Sequence, residues 1–206
     1  RKESDKKQVG RDDLLKVEAE AYHGEGTCTF YGTANSNQML MEIMGLQIPN
    51  SSFFHPDSIE RQVFNKETVK QILAISRKTD NTRPIGQVLD ERSFVNAIVG
   101  LHATGGSTNH LLHLPAMASA AGIKLLWRDF EELSKVVPLI ARIYPNGQAD
   151  VNEFQQAGGM GFVLQELLDD VGIIHSHDTV PDPMCTEHIH GTKDARTTHK
   201  FTSMGH

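Results

Sequence analysis

"VNAIVGLHATGGSTNHLLHLPAMASAAGI", residues 95–123, joins two apolar helical patterns through a glycine pair and a short run of hydroxyl and amide side chains. Upstream, Val88, Phe94, Val95, Ile98 and Leu101 recur at helical spacing, which predicts a helix over about 85–101 that stops at "ATGGSTN". Downstream, Leu111, Leu114, Ala118 and Ala121 share one face, and Gly122 is placed to end the helix. Pro115 inside that second pattern predicts a kink or a displaced start.

At the junction, Gly105, Gly106, Ser107, Thr108 and Asn109 gather backbone N–H groups and polar side chains at a helix start. The first turn of a helix has unpaired donors and the positive end of the macrodipole, so such a turn is able to hold an anion. The competing reading is a capped helix packed against a neighbour. The run is neither a Walker loop nor a dinucleotide fingerprint, since it lacks the Gly-Lys-Ser/Thr ending and the glycine spacing. His110 and His113 stand three apart and share a helical face, a spacing that chance also produces among 11 histidines.

Working outward, a first helix is predicted from Asp12 as N-cap through Leu14, Leu15 and Val17 to Gly24. A second spans about 35–45, where Met39 with Ile43 and Leu40 with Met44 repeat and Gly45 closes the end. "QIPNSSFFHPDS" reads as an ordered loop, and Val69, Ile72 and Leu73 mark one face of a third helix over 66–77. Past Gly122, Asp129 with Glu132 predicts a short helix, "VVPLIARIY" (136–144) a strand, and Gly158 with Gly159 the start of a helix through Leu168. Helices alternating with a few short strands predict an α/β class, a helix-rich portion of a layered architecture. The domain expectation is a basic polar end over 1–10, a partial domain over 11–180 and a mobile tail over 181–206, the loss of periodicity beginning near His177.

The 206 residues are 38% hydrophobic, enough for one sizeable domain. A net charge of -6 and dispersed Lys and Arg argue against a nucleic-acid footprint. No apolar run approaches the ~20 residues of a membrane helix, so a cytoplasmic protein without a membrane partner is expected. Cys28 and Cys185 are too far apart to read as a disulfide framework, and each is a core thiol, a nucleophile or a metal ligand. Locally Cys28 reads as a buried thiol. "CTEHIH", with Cys185, His188 and His190, reads as an adventitious zinc site in the tail, and adjacent Asp90 and Glu91 diverge on a helix rather than forming an acid and base pair.

Three ordered blocks carry a resemblance: residues 26–58, residues 95–123 and residues 136–168. They resemble the dehydratase family that contains dihydroxy-acid dehydratase and 6-phosphogluconate dehydratase, and "CTFYGTAN" with "YPNGQADVN" is similar to the phosphogluconate branch. The resemblance implies a hydro-lyase that removes water from 6-phosphogluconate in the Entner–Doudoroff route of sugar-acid breakdown. It implies a 4Fe-4S cluster held by three cysteines far apart in sequence, Cys28 matching the last of them, with an open iron acting on the departing hydroxyl. It also makes Gly105, Gly106, Ser107, Thr108 and Asn109 a substrate-side or anion-side element, and the complete enzyme a homo-oligomer.

Departures from the family pattern accompany the match. The Cys-Asp-Lys motif, the cysteine before it and the carboxy-terminal domain with its serine base are absent from this sequence, and Cys185 is not one of the family's cysteines. In family terms the chain is expected to lie within the amino-terminal α/β/α domain. Two further readings stay open: a non-catalytic remnant or interaction module, and a sugar-phosphate-binding module that uses "TGGSTN" without iron.

Overall fold

A computed structural model describes residues 10–21, 24, 28–76 and 78–168. Among them the regular elements are helices: α1 (Arg11–Glu20), α2 (Thr33–Ile43), α3 (Ile59–Ala74), α4 (Ile85–Val88), α5 (Glu91–Thr104), α6 (His110–Ala120), α7 (Trp127–Ser134), α8 (Val151–Gln156) and α9 (Gly159–Glu166). The basic end over 1–9 and the tail over 181–206, with Cys185, His188 and His190, lie outside the described residues.

Helix α5 forms the centre because from Phe94 to Ala103 its sequence is apolar nearly all round, the pattern of a helix buried on every side. Phe94, Ala97, Ile98, Val99, Leu101 and Ala103 are all buried, and α5 packs against α2 through Met39, Leu40, Ile43 and Met44. Gly100 permits that approach: a Cβ there would stand 2.7 Å from Ile43 Cδ1 and 2.9 Å from Met39 Sδ. Phe130 of α7 covers another side of α5.

The single helix expected over 85–101 is two. The Asp90 carboxylate accepts the Ser93 N–H at 2.9 Å and caps α5, which separates it from the one-turn α4. Asp90 is thus a cap, which explains an acidic residue just before an apolar run. The break at "ATGGSTN" stands as expected, with Gly105 left-handed at the end of α5. Helix α2 runs two residues earlier than expected, and the left-handed Gly45 closes it just past its end, where the Leu46 N–H reaches the Met41 carbonyl at 2.8 Å and the Gly45 N–H reaches the Glu42 carbonyl at 3.0 Å.

Other starts move for similar reasons. Gly10, not Asp12, precedes α1, and Asp13 accepts the Gly10 N–H at 3.3 Å. Helix α3 starts at Ile59 because Ser58 accepts the Arg61 N–H at 3.1 Å. Helix α7 starts at Trp127, since Asp129 accepts the Leu126 N–H at 2.8 Å from its third position. The apolar faces of α1 and α3 are not buried: Leu14, Leu15, Val17, Val69, Ile72 and Leu73 are all exposed.

The α/β expectation holds in its helix-rich part only; no strand forms among the described residues. Residues 137–143 run without regular structure, and no neighbouring strand offers them a ladder. Pro138 removes one donor, and the Ile140 and Ala141 N–H groups turn to the Ala103 carbonyl at the end of α5, at 2.8 and 2.9 Å. Helix α8 has no counterpart in the sequence reading, although Asp150 and Glu153 satisfy each other's backbone N–H groups around its first turn.

Pro115 does not displace α6. Its missing N–H would free the Leu111 carbonyl four residues back, and the Trp127 indole N–H donates to that oxygen at 3.0 Å. Trp127→Phe is therefore expected to cost about 0.5–1 kcal/mol by chemical denaturation, and less when Pro115→Ala restores the helical donor.

Candidate functional site

The first turn of α2 organises both candidate regions. Asn35 is buried there, and its amide donates to the Phe30 carbonyl at 2.7 Å and the Cys28 carbonyl at 3.3 Å. This pins the backbone that carries Cys28. Contrary to the local reading as a buried thiol, Cys28 is exposed, with only a long contact of 3.8 Å from Sγ to the Phe30 carbonyl. A small residue among polar neighbours packs no core when the helix beside it turns its apolar face elsewhere.

Cys28 stands at a cleft of about 400 Å³. Asn35 and Gln38 of α2, Arg61 and Asn65 of α3 and Asn152 of α8 line it, closed on one side by Ser52, Phe53 and Phe54. None of its lining residues is acidic.

The loop 47–58 that forms this wall is ordered, as its sequence predicts, and its anchor is Glu42. The buried Glu42 carboxylate accepts the Asn50 N–H, the Ser52 N–H at 3.1 Å and the Ser52 hydroxyl. Burial pushes its pKa up to about 7, more than those hydrogen bonds and the nearby Arg61 pull it down. A carboxyl raised on folding stabilises the protein fully below its unfolded value, and that contribution is lost as pH rises through 7. Relative to Glu42→Gln, the native chain is expected to lose roughly 3 kcal/mol between pH 4.5 and pH 8, read from denaturation midpoints.

The run from Gly105 to Asn109 is fastened to the same turn of α2. Ser107 Oγ lies 2.8 Å from Thr33 Oγ1, the Ser107 N–H donates to Ser36 Oγ at 3.2 Å, and the Asn109 amide donates to Thr33 Oγ1 at 2.8 Å. A Cβ on Gly106 would lie 2.7 Å from Leu101 Cδ1 and 3.1 Å from Ser36 Cβ, so glycine lets the loop close on α2. The Gly105 carbonyl accepts the Asn146 amide at 2.9 Å. Several groups expected to face an anion are thus spent on packing, while Thr108 and Asn109 remain exposed.

His110 is fully buried and its Nε2 lies 2.9 Å from Ser36 Oγ. Because Ser36 Oγ donates to the Gly32 carbonyl at 2.8 Å, the proton of the imidazole belongs on Nε2. Burial first, and then His113, pushes the pKa of His110 down, which keeps it neutral at neutral pH. The rings of His110 and His113 lie 5.6 Å apart at 64°, but His113 is exposed and no group of three His, Cys, Asp or Glu among the described residues is placed for a metal. Ser36→Ala, which strips an acceptor from both His110 and Ser107, is expected to cost about 1–3 kcal/mol of stability in equilibrium unfolding.

The amino-terminal model of dihydroxy-acid and 6-phosphogluconate dehydratases matches residues 1–187. The chain belongs to that dehydratase family. It is 59% identical over 168 residues to the phosphogluconate dehydratase of Rhizobium meliloti, covering 82% of this chain and 28% of the relative. It is 54% identical over 168 residues to that of Escherichia coli strain K12, with the same coverage of 82% and 28%. A dihydroxy-acid dehydratase of Saccharolobus islandicus is 36% identical over 169 residues, covering 82% of this chain and 30% of the relative. The chain therefore spans little more than a quarter of the length of these relatives. In this family member Cys28 and the Gly105–Asn109 run lie on two sides of one helical turn, a juxtaposition that neither motif announces alone.

Proposed function

We propose that the segment is part of a 6-phosphogluconate dehydratase, which removes water from 6-phospho-D-gluconate to give 2-dehydro-3-deoxy-6-phosphogluconate. The observation that carries this reading is the exposed thiol of Cys28, pinned through Asn35 at an acid-free cleft. In this reading Cys28 supplies one of three thiolates to a 4Fe-4S cluster. The residues fit such a role, because the thiol is free and accessible while its backbone is fixed; one thiolate does not hold a cluster by itself. When bound, the cluster supplies a Lewis-acidic iron for the departing hydroxyl.

The chain's own residues do the positioning. Asn35 sets the height of Cys28 over the cleft, Glu42 holds the wall made by residues 47–58, and the hydroxyl weld of Thr33, Ser36 and Ser107 keeps α2 from shifting. The helices then belong to the family's amino-terminal α/β/α layered domain, in a cytoplasmic, homo-oligomeric enzyme of the Entner–Doudoroff route.

The test is anaerobic reconstitution of the complete enzyme with iron and sulfide, followed by an assay on 6-phosphogluconate. Turnover that depends on the cluster supports the reading. Binding of 6-phosphogluconate without any iron-dependent turnover favours a sugar-phosphate-binding module instead.

A further inference from the structure

We infer that Arg61 is the anion-binding residue of the cleft, gripping a phosphate or carboxylate group of a sugar acid held beside Cys28. The inference rests on the dehydratase reading for the identity of the ligand, and on the cleft alone for its charge. The volume of about 400 Å³ falls within the ~300–1,000 Å³ of small-molecule sites. Its wall carries an arginine, a histidine and four amide side chains, with no carboxylate to neutralise them. An anion entering there meets an arginine and amide donors, with the Glu42 carboxylate buried behind the wall rather than lining it.

Arg61 is oriented for this. One Nη2 donates to the Phe54 carbonyl at 3.0 Å, which fixes the guanidinium against the wall. Arg61 forms no ion pair with a described residue, so the rest of its planar fork is available to an oxyanion. A second observation is independent of Arg61. Asn152 Nδ2 is buried and has no hydrogen-bond partner among the described residues, and Asn152 lines the same cleft. Buried donors are normally paired, and a ligand oxygen in the cleft would satisfy this one. The amide of Asn35, by contrast, is already committed to the backbone of Cys28 and Phe30.

A sugar acid phosphate offers an anion at either end, and the test distinguishes them. In the complete dehydratase, Arg61→Gln and Arg61→Lys are compared with Asn65→Asp, which keeps Arg61 and adds a carboxylate from an exposed position of α3. Calorimetry on the metal-free protein gives the Kd of 6-phosphogluconate, gluconate and inorganic phosphate; kinetics on the loaded enzyme give KM and kcat, and thermal melting confirms folding. We expect Arg61→Gln and Asn65→Asp to weaken 6-phosphogluconate by about tenfold or more, Arg61→Lys by less, with the loss in KM rather than kcat.

Phosphate binding that requires Arg61, with gluconate unaffected, assigns the phosphate end; the reverse assigns the carboxylate end. Folded Arg61→Gln and Asn65→Asp proteins whose Kd values stay within about twofold of the native enzyme would overturn the inference. An enzyme that does not dehydrate 6-phosphogluconate sinks the dehydratase reading instead. The phosphate and gluconate isotherms still decide Arg61 in that case: binding lost in Arg61→Gln upholds it, and no binding by the native protein refutes it.

Discussion

Exchanging Cys28 for serine in the complete dehydratase is expected to lower turnover of 6-phosphogluconate at least about 100-fold, since even groups that merely support a metal ligand are worth 10–100-fold. The thiol is exposed and contributes nothing to the core, so the variant should melt within about 0.5 kcal/mol of the native protein, as surface substitutions do. That combination is diagnostic. A structural thiol would lose stability and activity together, whereas a cluster ligand loses activity with the fold intact. Asn35→Ala makes a useful companion because it frees the backbone of Cys28 without touching sulfur.

The largest loss of stability is expected from Phe94→Ala. Phe94 is 1% exposed at the start of α5, the helix against which α2 and α7 pack. Removing a buried ring leaves a cavity and costs about 3–5 kcal/mol, which for a protein of this size lowers Tm by about 6–20 °C. Leu14→Ala, on the exposed face of α1, should change stability by no more than about 0.5 kcal/mol. Calorimetric melting of the three proteins checks both statements. Because α5 supports α2 and α2 supports Cys28, the same cavity should also loosen the cleft.

Features written into a few adjacent residues were legible in the sequence. The break at Gly105, the stop at Gly45, the helix opening at Gly158 and the ordered loop over 47–58 all follow from local backbone chemistry. Features that depend on distant partners were not. A strand at 136–144 required an adjacent edge, and in its place stands the carbonyl of Ala103. The apolar faces of α1 and α3 were readable as faces, but no local signal says whether anything covers them. Pro115 looked disruptive because its compensating donor, Trp127, comes from a different helix.

The site divides in the same way. The Gly105–Asn109 run is marked by its local chemistry and Cys28 as a ligand by resemblance, yet the internal hydrogen bonding of the first and the exposure of the second are tertiary facts. Glu42 and Arg61 carried no signal at all in sequence. Both matter because α2, α3, α8 and the loop between the first two meet around one cleft.

The proposed ligand role of Cys28 is tested most directly by the iron and sulfide content, with the visible absorption spectrum, of the complete dehydratase after anaerobic reconstitution, compared with Cys28→Ser and Cys185→Ser. A stable cluster is expected in the native and Cys185→Ser proteins, and its absence or rapid loss in Cys28→Ser. A Cys28→Ser protein that holds the full cluster and turns over 6-phosphogluconate normally would contradict that role.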